Sequence, residues 1–299
     1  MKNFVVILLA LFTLNAVSAQ NLKPYILGAE TTESITDVKV LLAEQLEMNG
    51  LHLIGQYQPA ADSSRWVMIF SSDELISAVQ KAGDLTGFAA ALRIGITEEN
   101  GKTVVSYTTP EYWGNAYFRD DFKQVSAFYE TVTNKLEKAV TAIGTFKGSP
   151  FGSEKGIAAK KLSGYRYMIG MPRFDDTIRL AEFDSYQAAN DKIGSSIENG
   201  VPNVDLVYKL DIPDQELTLY GFALSGEKGE EQFLPIIDFG NPKHTAFLPY
   251  EILVMGNEVH MLHGRYRIAL SFPDLKMRTF SRIMSTPGNI EDLLKQLVK

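Results

Sequence analysis

Apolar residues recur at helical spacing through Ile35, Val38, Leu41, Leu42 and Leu46, and the pattern stops at Asn49-Gly50, two residues that accept positive φ. This predicts a helix over residues 34–48. Apolar runs at 51–57 and 66–70 predict strands. A second helix is predicted over 71–81, capped by Ser71 or Ser72, with Asp73 and Glu74 in the first turn, where the helix dipole favours acids. Strands are predicted at 88–96 and 103–107, joined by Glu99-Asn100-Gly101, whose Asn-Gly pair is a hairpin signal. Phe122, Val125, Phe128, Tyr129, Val132, Leu136, Val140 and Ile143 then form the apolar stripe of a long helix opened by Asp120 or Asp121.

The pattern breaks at 144–156, where glycines recur every four residues around Pro150. Pro150 disfavours a helix and the Gly-Lys-Ser/Thr ending of a phosphate loop is missing, so this segment reads as a linker. The same order of elements then begins again. Strands are predicted at 165–171 and 177–183, a helix from Asp184 or Ser185 to Glu198 stopped by Asn199-Gly200, and strands at 204–210 and 216–224. A short helix near 227–233, a strand at 234–239, a hairpin through Gly256-Asn257 and a terminal helix over 290–298 complete the chain. The fold class expected is α+β, with two related domains, each an antiparallel or mixed sheet with helices packed on one face. The boundaries are 1–19 for a leader, 20–145 for the first copy, 146–158 for the linker and 159–299 for the second copy.

Composition narrows the functional classes. The 299 residues are 45% hydrophobic and 22% charged and include no cysteine, so disulfides, thiolate zinc sites, iron-sulfur clusters and thiol nucleophiles are excluded. A net charge of -7 speaks against nucleic acid and anionic lipid as partners. Lys2, the apolar run 4–14 and the small residues Ala16-Val17-Ser18-Ala19 read as a secretory signal peptide cleaved after Ala19. That run is about half the roughly 20 residues a spanning helix needs. The mature protein is therefore expected to be exported, periplasmic or secreted, with no membrane span.

Candidate chemistry is sparse. The signatures Gly-x-Ser-x-Gly, Ser-x-x-Lys and His-Glu-x-x-His are absent. His260 and His263, three apart on an expected strand, would point to opposite faces, so no metal site and no cofactor are expected. The acidic doublets sit where helices begin or strands turn, and capping accounts for most of them. Tyr107, Tyr112, Trp113, Tyr117 and Phe118 cluster after a strand, and Tyr165, Tyr167, Tyr266 and Phe272 alternate with Arg166, Arg265 and Arg267. Such clusters either stack on a ligand or cover a sheet, with the arginines on a solvated face. Asn241-Pro242 followed by Lys243 and His244 forms a turn that could present a cation to an anionic ligand.

Two segments carry a resemblance. Residues 88–110, with Gly101-Lys102-Thr103-Val104-Val105 and Pro110, and residues 239–271, with Asn241-Pro242 and Leu248-Pro249, resemble domain-of-unknown-function family 302, a bacterial α+β domain. Each segment carries half of the family's pattern. The resemblance implies a fold, no catalytic residues, and self-association that two tandem copies would satisfy internally as a pseudo-dimer; a homodimer is the other arrangement expected. The leading expectation is a non-enzymatic binding module for a small apolar or aromatic ligand or a partner protein. Its expected ligand residues are Tyr107, Tyr112, Trp113, Tyr117, Asn241, Lys243, His244 and Tyr266. The alternatives are a periplasmic hydrolase whose acid-base groups converge from both copies, and a purely structural interaction domain.

Overall fold

The computed structural model describes residues 21–299, so the leader predicted at 1–19 lies outside the described residues. The first half runs β1 (Tyr25–Thr31), α1 (Ile35–Met48), β2 (His52–Tyr57), β3 (Arg65–Ser71), α2 (Asp73–Ala82), β4 (Leu92–Glu99), β5 (Lys102–Thr108), α3 (Pro110–Phe118), α4 (Phe122–Thr141) and β6 (Thr145–Phe151). After α5 (Ala159–Leu162), the second half runs β7 (Ile178–Glu182), α6 (Tyr186–Asn199), β8 (Val204–Ile212), β9 (Leu217–Leu224) and α7 (Glu230–Ile237). It continues through β10 (Tyr250–Met255), β11 (Glu258–Met261), α8 (Gly264–Ser271), α9 (Met277–Phe280) and α10 (Thr286–Leu294). Local chemistry sets several boundaries. Ser34, Ser72 and Ser185 each accept a hydrogen bond from the backbone N–H three residues on, which opens α1, α2 and α6. Asn100 and Gly101, at φ 52° and 74°, make the two-residue turn between β4 and β5.

Every strand pairing is antiparallel. One sheet has the order β2-β3-β4-β5-β1-β6 and the other, taken from its far edge, β8-β9-β10-β11-β7. Apart from β6 the two orders correspond strand for strand. The fold is α+β, built as two sheet-containing parts around one continuous apolar core.

The halves interlock by exchanging corresponding turns. The 3-10 turn Asp84–Ala89, which precedes β4, rests on β9 and β10; the turn Thr245–Phe247, which precedes β10, rests on β3, β4 and β5. A Cβ on Gly87 would strike Leu253, and one on Gly95 would press on Ala246 and Thr245. β4 is consequently buried on both faces, with α1 on one side and the turn from the other half on the opposite side. The edge strands β2 and β8 also meet, where a Cβ on Gly55 would lie 2.5 Å from the Val207 carbonyl oxygen and 2.9 Å from Tyr208 Cβ. Gly55→Val is expected to lower the unfolding free energy by about 2–3 kcal/mol in urea titrations, because backbone cannot yield as a side chain can. Gly194→Ala, facing open space on α6, should leave it unchanged or slightly raised.

Five expectations are corrected. The first part of the predicted linker 146–158 is strand: β6 pairs with β1 as far as Phe151, and Gly148 and Pro150 are tolerated because β6 is an outer edge with one side unpaired. Residues 165–171 form turns, since the Tyr165 and Tyr167 hydroxyls donate to the carbonyls of Ala269 and Leu275 and tie the segment across α8. The strand expected at 234–239 is mostly α7, whose Phe233, Leu234 and Ile237 are buried at helical spacing. Neither Asp120 nor Asp121 caps the long helix through its side chain: α4 opens without a side-chain hydrogen bond, and Arg119 at φ 57° turns the chain into it from α3. Residues 264–271 are also helical, so Tyr266 and Arg267 do not alternate between faces; both are buried.

Candidate functional site

Charged residues sit inside otherwise apolar segments at Arg93, Glu251 and Arg267, and the fold brings all three together at the junction of the halves. The Arg93 guanidinium pairs with Glu251 Oε1, and Arg267 Nη1 donates to Glu251 Oε2 at 2.8 Å. Tyr208 donates to the same carboxylate, while Arg267 also reaches the Tyr117 hydroxyl at 3.0 Å and the Phe247 carbonyl at 2.7 Å. All of these groups are excluded from solvent. Arg93 and Glu251 are the second residues of β4 and β10, and Trp113 and Arg267, 5.6 Å apart as a cation–π pair, are the fourth residues of α3 and α8. Corresponding positions in the two halves thus meet each other. A second buried cluster joins Arg65 to Asp238 and Thr245, and a third sets Glu230 against Tyr57 and the Ala60 and Leu224 N–H groups.

Most of the expected aromatic ligand residues belong to this junction. Tyr112 donates to the Leu270 carbonyl at 2.8 Å, Trp113 Nε1 donates to the Pro24 carbonyl at 2.9 Å, and Tyr117 stacks on Phe174 with ring centroids 5.0 Å apart. Tyr266 packs between Phe174 and Tyr165. Tyr107 lies under Gly28 on β5. Burial raises the phenol pKa of every one of these tyrosines. They act as core, filling the space between helices and sheet. Sequence reasoning missed the ionic network because each charge looks solvated when its own segment is read alone; its available signal was a lone charge within each apolar run.

Asn241, Lys243 and His244 sit elsewhere, on the segment between α7 and β10. The peptide bonds before Pro242 and Pro249 are cis. Asn241 Nδ2, in the orientation that satisfies its neighbours, donates to Glu99 Oε2 at 3.0 Å, and the Lys243 N–H donates to Glu99 Oε1 at 2.9 Å. Lys243 therefore contributes its backbone. His244 is anchored twice: its N–H donates to Asp238 Oδ1 at 2.6 Å, and its Nδ1 lies 3.1 Å from the Ser271 carbonyl. A carbonyl can only accept, so Nδ1 carries the proton and Nε2 is left as the acceptor. The ring stacks on Phe272 at 4.6 Å and packs on Tyr25 at 4.9 Å and Phe151 at 5.7 Å. Burial pushes its pKa below the ordinary histidine range, against the opposing pull of Asp238.

His244 lines a cleft of about 430 Å³ together with Phe239, Gly240, Phe272, Asp274, Lys276 and Thr279. Gly152 brings the first half to its edge. Phe239 is 71% exposed there, an unusual position for phenylalanine. A smaller cleft of about 310 Å³ occupies the corresponding place in the first half, between the turn after α2 and the end of α3, with Thr86, Asp84, Phe118 and Asp120 among its walls. It has no imidazole, and its charged lining is Asp84, Asp120 and Asp121 with Arg119. His263 caps α8 by accepting from the Arg265 N–H, and His260 is held between Glu258 and Thr177, so the two do not converge. Among the described residues no helix is long and apolar enough to cross a membrane.

No family model matches the sequence, and no curated protein matches it. Among solved structures, the chain is similar to the crystal structure of the uncharacterized conserved protein DUF302 from Bacillus stearothermophilus, at 15% identity and a TM-score of 0.32, over 38% of this chain and 97% of that one. The α+β class rests on the sheets themselves.

Proposed function

We propose that the protein is exported, acts by binding and not by catalysis, and holds a small aromatic or apolar ligand bearing one hydrogen-bond donor in the His244 cleft. The carrying observation is the fixed imidazole. Nδ1 is committed to Ser271, the ring is wedged among three aromatic side chains, and the lowered pKa keeps Nε2 a neutral acceptor at ordinary pH. The cleft's volume lies within the usual range for small-molecule sites, and Phe239 and Phe272 offer rings on which an aromatic ligand can stack. Titration with phenol- and indole-type fragments, followed by amide chemical shifts, is expected to perturb residues 238–244 and 272–279. Binding should persist below neutral pH and weaken only once His244 is protonated. His244→Phe keeps the ring packing and removes the acceptor, so it should abolish these shifts; fragments that bind equally well to His244→Phe would refute the reading.

The same proposal takes the two halves as diverged copies of one unit docked as an internal pseudo-dimer. The common strand order, the reciprocal turns, the meeting of corresponding residues and the paired clefts support it. Export is supported by the amino-terminal pattern of a basic start, an apolar run and small residues. Cell fractionation should find the protein outside the cytoplasm with Gln20 as its first residue by intact mass, and protein confined to the cytoplasm with Met1 or Lys2 at its start would reject export.

A further inference from the structure

We infer that the face built from residues 160–173 and 265–278 docks on an anionic lipid membrane surface. Net charge alone argues the other way, but the charges are unevenly placed. Between 155 and 173 the chain carries Lys155, Lys160, Lys161, Arg166 and Arg173 and no acid. At physiological salt the Debye length is about 8 Å, so distant acids are largely screened from this face. All five cations are exposed, and among the described residues none is in an ion pair. Of the acids nearest in sequence, Glu154 is exposed at the start of the stretch, while Asp175 pairs with Arg119, Asp176 accepts from the Arg173 N–H, and Asp274 accepts from Ser153 and the Glu154 N–H.

Apolar side chains project from within this basic ring. Ile169 is 88% exposed, the most exposed large apolar residue described, and with Met168 it tips a turn bracketed by Arg166 and Arg173. Met277, half exposed and flanked by Lys276 and Arg278, faces the same turn across a groove walled by Tyr167, Met171 and Arg265. The Tyr165 and Tyr167 hydroxyls bind the turn to the α8 end, so the tips are held outward. The groove encloses only about 20 Å³, too little to receive a partner's side chain. Apolar tips that project instead of receiving, ringed by unpaired cations, suit a bilayer interface, where the tips enter the acyl boundary and the cations meet phosphates.

The test is vesicle co-sedimentation of a chain begun at Gln20, which keeps every described residue and lacks the apolar run 4–14. Vesicles are phosphatidylcholine alone or with roughly 30% phosphatidylglycerol, at about 0.1 and 0.5 M salt. Binding is expected to the anionic vesicles only, and to fall at the higher salt. Ile169→Asp should weaken it about tenfold with the melting temperature unchanged, Ile169→Ser by less, and Lys160→Gln, Lys161→Gln and Arg166→Gln by about fivefold each. Absence of binding to anionic vesicles, indifference to Ile169→Asp, or equally strong capture by poly-glutamate would each overturn the proposal, the last in favour of an acidic protein partner. His244→Phe should not alter vesicle binding, which keeps this surface separable from the cleft.

Discussion

Glu251→Ala is expected to destabilise the protein by about 3–5 kcal/mol, a large share of the 5–15 kcal/mol that holds a typical domain together. One carboxylate serves Arg93, Arg267 and Tyr208, and its removal leaves two guanidiniums facing each other's charge without water or counter-ion. Breaking a buried network on one side costs more than the network contributes as a whole, because the survivors keep their desolvation penalty. Two further variants separate that cost from packing. Glu251→Gln preserves shape and one acceptor and should fall between wild type and alanine. The simultaneous changes Arg93→Met, Glu251→Leu and Arg267→Met should recover most of the loss, since apolar residues of similar size leave no unpaired charge. Urea unfolding of the four proteins decides the matter; a loss below about 1 kcal/mol for Glu251→Ala would show that water reaches the site.

Glu230 should make stability fall as pH rises from about 5 to 8. Burial pushes its carboxyl from the usual 4.5 up to about 8 in the folded protein, against the hydrogen bonds from Tyr57, Leu224 and Ala60 that favour the charged form. Between those values the folded state holds a proton that the unfolded chain has released. Stability then decreases with pH by about 1.4 kcal/mol per unit, roughly 4 kcal/mol across the window. The contribution is fully present below the unfolded value and lost as pH climbs through the folded one. Glu230→Gln is neutral throughout, so the free-energy difference between wild type and variant, measured by urea at pH 5, 6.5 and 8, should shift against wild type as pH rises. Parallel curves would mean that Glu230 is ionised in the fold.

How far the sequence reached depends on the range of the interactions involved. α1, α2 and α6 were legible because a serine cap, an apolar stripe and an Asn-Gly or glycine stop all lie within one short segment. The β4–β5 hairpin was legible for the same reason. β6 was not, since glycines and a proline read as a linker until β1 supplies an edge for them to pair with. The alternation around Tyr266 suggested a strand with a wet basic face, but α8 turns Arg267 inward to a carboxylate that lies on β10. Of the eight residues singled out as ligand contacts, Tyr107, Tyr112, Trp113, Tyr117 and Tyr266 are core, and only His244 lines the cleft with its side chain. Aromatic richness marks burial as readily as binding, and only neighbouring elements decide which.

By itself the sequence determined the α+β class, the helices α1, α2 and α6 and the β4–β5 hairpin, because each is a matter of local periodicity or turn chemistry. Tertiary structure alone decided that Arg93 meets Glu251, that Trp113 meets Arg267, and that the imidazole of His244 is pinned at a cleft wall. The first two pairings join residues more than a hundred positions apart. Nothing in either segment specifies its partner; packing one half against the other does.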